Sequence, residues 1–480
     1  MKKIFMGVRL RALREERQLS QTQLARLLEI STSYLNQIEH NDRPLTARVL
    51  LRLQTRLGVD PQFFSDDNDA RVLAQLRDAL VDQAVDIPLA ELQTMVQQTP
   101  QLADAFLRLH SRCRSAEERL DAVLADGSDE RHPSTLRPAL QPHEEVRDFF
   151  YARHNYIDSL DRAAEKLHEK LNDHGTQSGN TPPAVTNTAT LNIRLISYLK
   201  QQHQVEVRHD DGDDIRRFDP ALRLLTIAPN LEQGQQTFQL AVQLAHLEMA
   251  KMLEEVAEQA SFSSDSALAL ARIGLASYFA GALVLPYRAF LREAESLRYD
   301  VDLLADRFGV SYETVCHRLS TLQRPEALGV PFFFVRVDRA GNISKRQSAT
   351  DFHFSRTGGT CPLWAVYEAF SQPDRILTQL ARMPDERTYL WIARAITHRT
   401  GGYGTPARTF AIGLGCDLQH ATRLVYAKSL NLQDPEAATP IGPGCKVCDR
   451  RDCSQRAFPA IGRALATDPN SRKQTPYAME

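Results

Sequence analysis

Three thiols stand close together near the end of this 480-residue chain, in the run GPGCKVCDRRDCSQRAFP. Cys445, Cys448 and Cys453 follow a C-x2-C-x4-C spacing in a loop containing Gly and Pro. Such a turn presents several soft ligands to one metal ion or iron-sulfur cluster. Left unliganded, thiols so close together would be an oxidation liability. A fourth ligand is needed, and Cys416 is preferred over Cys361; both lie close to glycines. Zinc and an iron-sulfur cluster both accept this donor set.

A second pattern lies in TFQLAVQLAHLEMAKMLEEV, which reads as one helix. Zinc peptidases of the ImmA/IrrE type use xFxLAHExxH to place two His side chains one helical turn apart, with the intervening Glu as general base. TFQLAVQLAH aligns on that motif, but Val242 stands at the first His and Gln243 at the Glu, leaving only His246. Downstream, YFAGALVLP resembles FAAELLMP, the signature that supplies the third ligand as Glu, and Ala282 occupies that place. One ligand of three cannot hold zinc, and no carboxylate remains to activate water. The expectation is a peptidase-like scaffold that is not an enzyme, its cleft reused for a small molecule. His246 either lines that cleft or is merely packed in its helix.

The elements that would make use of such a cleft begin at the N-terminus. In SQTQLARLLEISTSYLNQIEH the residues Leu24, Leu27, Leu28, Ile30, Leu35 and Ile38 recur as on two short amphipathic helices. Ala25 is small where those helices cross; Ser20 caps the first, and Ser31 or Thr32 the second. The second helix presents Thr32, Ser33, Asn36 and Gln37 to a major groove, while Gln21, Asn41 and Arg43 sit where phosphates are clamped. Residues 1–60 carry eleven Lys or Arg against six acids, net +5, in a chain whose formal net charge is −2. A basic module on an acidic body is the footprint of DNA binding. From LRALREERQLSQTQLA to LGVDPQFF the segment resembles the Xre/Cro-type repressor domain.

Beyond it, residues 70–124 show helical periodicity, punctuated by Pro88 and Pro100. After a polar linker, VRDFFYARHNYIDSLDRAAEKLHEKL reads as an amphipathic helix pair, LNIRLISYLKQQH as a helix and VEVRH as a strand. IRRFDPALRLLTIA reads as a hairpin turning at Asp219 and Pro220. DLLADRFGVSYETVCHRL looks like a second helix-turn-helix, but acids at 300, 302, 306 and 313 favour a structural role, with Cys316 facing the core. VPFFFVRVDRAGNISKRQ is a hairpin whose first strand is buried on both faces. A strand pair then leads to Cys416 and a helix beginning near Leu418.

The fold class expected is mainly α with an α+β body. Its parts are a helix-turn-helix bundle (1–65), a helical connector (66–125), a degenerate ImmA/IrrE-like, zincin-like ligand-binding domain (140–325), a C-terminal α+β domain with the cysteine cluster (326–465) and a tail (466–480). No signal-peptide core and no apolar run near bilayer length are evident, which predicts a cytoplasmic protein without structural disulfides.

Taken in order, the Xre-type head, RHNYIDSLDRAAE, the degenerate cleft, SRTGGTCPLW, AIGLGCD and IGPGCKVCDRRDCSQRAFP resemble the short-chain fatty acyl transcriptional regulators, the PrpR/RamB-like proteins. The resemblance implies control of propionate, methylcitrate or acetate metabolism genes and a CoA or acyl-CoA effector. It also implies a [4Fe-4S] cluster on the cysteines and a homo-oligomer, dimer or tetramer, on double-stranded operator DNA. CoA phosphates call for cations; Arg162 and Lys200 lie near the cleft-forming helices, with Tyr156 placed to stack or hydrogen bond. Two readings compete with this one: a redox or iron sensor without an acyl-CoA ligand, and a zinc peptidase acting on a repressor.

Overall fold

The computed structural model describes residues 7–17, 19–40, 42–46, 49, 50, 52, 53, 72, 73, 76, 77, 79, 80, 87–99, 102, 103, 105–107, 109, 110, 113, 142–173, 187–210, 212, 214–349, 361–398, 403–405, 407–445, 448, 450–459, 464–467, 470, 471, 473–475 and 477. Two compact units emerge: residues 1–138, 351–360 and 443–480 in one, 139–350 and 361–442 in the other.

In the first unit, helices α1 (Gly7–Glu16), α2 (Gln21–Leu27) and α3 (Thr32–Glu39) enclose a small apolar core of Leu10, Leu13, Leu24, Ala25, Leu28, Leu35 and Ile38, extended by Leu45, Val49 and Leu53. Both expected caps form. Ser20 Oγ accepts from Gln23 N while Gln23 Oε1 accepts from Ser20 N, a reciprocal box; Ser31 Oγ accepts from Tyr34 N. Glu29, with φ of 50°, takes the left-handed turn between the two helices, and Arg52 Nη1 donates to the Leu28 and Glu29 carbonyls there. Leu27, expected inside, is 38% exposed: at the last turn of α2 it falls outside the face that Leu24 and Leu28 bury. A Cβ on Gly7 would stand 2.0 Å from the Ile38 carbonyl oxygen, so α1 lies directly against the end of α3. Further along, α4 (Leu89–Gln98) starts at Pro88 as expected and buries Val96 with Val72, Leu76 and Ala103; Pro100 and the linker fall outside the described residues.

The second unit opens with α5 (Pro142–Tyr151) and α6 (Asp158–Asp173), followed by α7 (Thr188–His203). A three-stranded sheet comes next: β1 (Glu206–His209), β2 (Arg216–Asp219) and β3 (Leu224–Ile227), in the order β1-β3-β2 with only the β1/β3 pair parallel. The hairpin turns where expected, Asp219 Oδ1 accepting from Ala221 N and Leu222 N. The long helix anticipated after it is two, α8 (Gln233–Glu248) and α9 (Ala250–Glu258), broken at Met249 so that Leu253, Val256 and Ala257 turn into the core. Helices α10 (Asp265–Val284), α11 (Tyr287–Ser296), α12 (Val301–Phe308) and α13 (Tyr312–Leu319) complete the helical layer. Contrary to the sequence reading, α10 has the length and composition to cross a membrane, a window of mean hydropathy 1.7. Here it is a core helix, burying Ala271, Leu275, Phe279 and Leu283 among its neighbours. α12 and α13 pack as a helix-turn-helix around Gly309 (φ 69°), with Cys316 fully buried.

A six-stranded sheet follows: β4 (Phe333–Asp338), β5 (Ile343–Ser348), β6 (Leu377–Arg382), β7 (Thr388–His398), β8 (Arg408–Asp417) and β9 (Thr439–Pro440), ordered β5-β4-β8-β7-β6-β9. Strands β6 and β9 were not legible in the sequence. Phe332, Phe333, Phe334 and Val335 are all buried, so β4 is covered on both faces as anticipated. Gly415 in β8 is required by packing: a Cβ there would lie 2.1 Å from the Phe333 ring and 2.9 Å from the Trp391 indole. After Asp417 the chain forms 3-10 turns, Leu418–Arg423 and Val425–Ser429, where an α-helix was expected. One apolar core runs from Phe149 to Ala438 through helices and sheet, across the anticipated 325/326 boundary.

Several imidazoles sit in this unit as neutral groups. Burial pushes His317 well below its ordinary 6.5, with the charges of Lys345, Arg318 and Arg336 adding to the effect. Burial also lowers His168, although its Nδ1 lies 2.8 Å from the Leu283 carbonyl oxygen. A folded value below the unfolded one means the unfolded chain binds more protons as pH falls through 6.5, so the stability present at neutral pH is lost on acidification. Trp364 and Trp391, the chain's two tryptophans, both belong to this unit. Their fluorescence in urea should show a midpoint that falls from pH 7 to pH 5, worth about 1 to 3 kcal/mol; a flat or rising midpoint would contradict the buried neutral histidines.

Candidate functional site

On the head, Ser31, Thr32, Ser33 and Asn36 are exposed and Gln37 is half-exposed along α3, a row of short polar groups on one helix. Arg43 is exposed beside it, its guanidinium 5.7 Å from the Tyr34 ring. Asn41 lies outside the described residues. Gln21 is more engaged than expected: its Nε2 donates to Glu39 Oε2 (2.8 Å) and Asn36 Oδ1 (3.3 Å), bracing α2 on α3. Glu39 is itself 4% exposed and pairs with Arg14 at 2.7 Å, so the floor under α3 is a satisfied charge network.

In the body, the motif residues fall on α8 and α10. Val242 and Ala282 are buried, as are the apolar neighbours Leu240, Leu244 and Leu283. Gln243, at the place of the general base, is 5% exposed and accepts a hydrogen bond from Arg216 Nη1 at 2.7 Å. His246 is half-buried; burial first, and the Arg216 charge second, hold its imidazole below the ordinary range. Arg216 was not anticipated, because it comes from β2, 27 residues before Gln243.

Tyr156 and Arg162 share Asp158. Tyr156 Oη donates to Asp158 Oδ1 at 2.7 Å, and Arg162 Nε lies 2.9 Å from the same carboxylate, with a second ion pair to Glu326. The pair borders a buried network. Asp161, fully buried, accepts from Arg318 Nη1 (2.8 Å), Arg324 Nη2 (3.3 Å) and Tyr278 Oη (2.8 Å). Arg324 also donates to Glu165 and to Tyr156 Oη, and its guanidinium lies 4.1 Å from the Tyr287 ring centroid. The carboxylates hold Arg318 and Arg324 charged despite burial. Lys200 is exposed on the last turn of α7, and among the described residues no hydrogen bond or ion pair joins it to Tyr156, Arg162 or His246. Tyr156 and Arg162 thus form one group and His246 with Arg216 another.

The cysteine loop belongs to the unit that contains the head. Arg456, 3% exposed, donates to the carbonyls of Cys445 and Cys448, both at 3.1 Å, and of Arg450. Ala457 N–H points at Cys445 Sγ (3.5 Å), and the Arg450 N–H bonds to the Cys448 sulfur. Burial pushes the Cys448 thiol up, and that N–H with the Arg456 and Arg450 charges pulls it back toward thiolate. Soft donors, N–H···S bonds and a buried cation suit a thiolate-bound group in kind. Among the described residues, however, no three His, Cys, Asp or Glu side chains are gathered at metal-holding distance. Cys416 (0% exposed) and Cys361 (7%) lie in the body, and burial raises the Cys416 thiol far above its ordinary value.

A helix-turn-helix head with an exposed polar row on α3 defines a DNA-binding regulator. The comparisons agree. The family models "Short-chain fatty acyl coenzyme A regulator, C-terminal", "IrrE N-terminal-like domain" and "Helix-turn-helix" match residues 321–477, 200–320 and 10–64. HTH-type transcriptional regulator RamB of Mycobacterium tuberculosis is 50% identical over 491 residues, covering 100% of both chains. From the same organism, HTH-type transcriptional regulator PrpR is 47% identical, over 99% of this chain and 96% of its own. The propionyl-CoA carboxylase regulator of Cereibacter sphaeroides is 43% identical over 99% of each chain. A solved structure, a Mycobacterium tuberculosis transcriptional regulator, is 49% identical with a TM-score of 0.66, covering 71% of this chain and 100% of that one. This chain belongs to the short-chain fatty acyl coenzyme A regulator family. It is a helix-turn-helix transcriptional regulator, not an enzyme, which removes the peptidase reading.

Proposed function

We propose that this regulator acts in the cytoplasm on genes of short-chain fatty acid metabolism, propionate and methylcitrate or acetate, in response to CoA or a short-chain acyl-CoA. The observation that carries this reading is one chain holding both an exposed recognition helix, α3, and a peptidase scaffold in which Val242, Gln243 and Ala282 have replaced the catalytic groups. The relative named for propionyl-CoA carboxylase and the family described for short-chain fatty acyl coenzyme A point to the same metabolite class. The effector enters the converted cleft and changes the geometry of a homo-oligomer, dimer or tetramer. Because half-sites lie about 34 Å apart, a small change in the spacing of two recognition helices alters operator affinity strongly. Arg162, Lys200 and Tyr156 stand as the proposed contacts to the nucleotide part of the ligand, Arg162 after release from Asp158 or Glu326.

Cys445, Cys448 and Cys453 would hold a [4Fe-4S] cluster, or zinc as the alternative. A cluster would cross-link the loop and make its order sensitive to oxidants. Arg456 organises the backbone of that loop and offsets thiolate charge. An absorption spectrum of the anaerobically purified protein, run beside a shift assay on the DNA upstream of its neighbouring genes, tests both halves. In the full chain, Cys448→Ser is expected to bind operator normally while its acyl-CoA response falls to a ratio near one. Unaltered response would remove the loop from the mechanism. Thermal stabilisation of the wild type by propionyl-CoA or acetyl-CoA separates this reading from a redox sensor, which neither compound stabilises.

A further inference from the structure

We propose that Arg216, with Gln243 and His246, forms a receptor for a single oxyanion, a phosphate or a carboxylate, where hydrolases of this build hold their metal. Charge is the first argument. A metallopeptidase balances its dication there with a ligating Glu and a basic Glu. In this chain those positions are Ala282 and Gln243, both uncharged, and the Arg216 guanidinium lies against Gln243. Among the described residues no carboxylate pairs with Arg216. Arg318 and Arg324, by contrast, are satisfied by Asp161 and Glu165. Arg216 is half-buried, so its charge is only partly solvated, and a bound anion offsets that loss of hydration.

Geometry is the second. Arg216 spends one N–H on Gln243, and its other four have no protein acceptor among the described residues. The planar fork therefore remains available for two parallel bonds to an oxyanion. Gln243 is buried on α8 and fixes the fork. One helical turn on, His246 has no protein hydrogen-bond partner among the described residues and, as a neutral ring, can donate one N–H. The three groups come from β2 and α8, so the receptor rests on rigid elements rather than a loop. It does not depend on the acyl-CoA reading, since any ligand carrying one such group satisfies it.

Equilibrium dialysis of the full chain with labelled inorganic phosphate, and separately with acetate, at ionic strength fixed by chloride, tests this. CoA is left out, so the result is independent of the acyl-CoA reading. Saturable binding of at least one anion is expected in the wild type and in Arg217→Gln, an exposed neighbour, with affinity at least about tenfold weaker in Arg216→Gln. Which anion binds identifies the source. Gln243→Glu supplies an internal counter-ion and should block binding without loss of fold, which covers the case of a poorly folded Arg216→Gln. No saturable binding to the wild type, or unchanged binding in Gln243→Glu, overturns the proposal.

Discussion

Asp161→Asn is expected to destabilise the body by about 3 to 5 kcal/mol, read as a fall in the urea midpoint of tryptophan fluorescence. Asparagine keeps the shape of the side chain and removes its charge. Arg318 and Arg324, 3% and 0% exposed, would then stay buried with only Glu165 and neutral partners. Asp161 ties together α6, α10 through Tyr278, α13 through Arg318, and the segment after α13 through Arg324. The paired control is Asp158→Asn, whose bond to Arg162 is half-exposed and screened by water; it should cost less than about 1 kcal/mol. Equal effects for the two variants would show that the buried network does not hold the body together.

The second large effect is on DNA. Ser33→Glu puts a carboxylate at an exposed position on α3, where a neighbouring phosphate or an acceptor edge in the groove repels it. In the proposed homo-oligomer, two heads on one operator would meet that repulsion twice. Affinity in a shift assay at fixed salt is expected to fall by about a hundredfold or more, while the urea midpoint of the tryptophans, which lie in the other unit, stays unchanged. Wild-type affinity in Ser33→Glu would remove α3 from the groove.

What was legible in the sequence is what local chemistry dictates. Ser20 and Ser31 cap their helices because a short hydroxyl before an amphipathic run has few other roles, and the Asp219 turn follows from an Asx residue between two apolar alternations. The loss of metal ligands was plain at Val242, Gln243 and Ala282 because the motif spacing survived the substitutions. The rest was hidden by distance along the chain. Arg318 and Arg324 look like surface residues until Asp161, 157 and 163 positions away, is seen beneath them. Arg216 sits in a strand with nothing to announce it, and only the fold brings it to Gln243. β6 and β9 escaped because their pattern is half-polar, and the break at Met249 because nothing in its residue type forbids a helix there.

Ligand binding in the body is expected to change how the head holds its operator. Fluorescence anisotropy of labelled operator with the full-length protein, titrated at constant salt with and without propionyl-CoA, measures that coupling directly. A shift in operator affinity of about fivefold or more, abolished by Cys448→Ser, is the predicted result. Identical operator affinity with and without the thioester, at concentrations where the thioester stabilises the body, would contradict it.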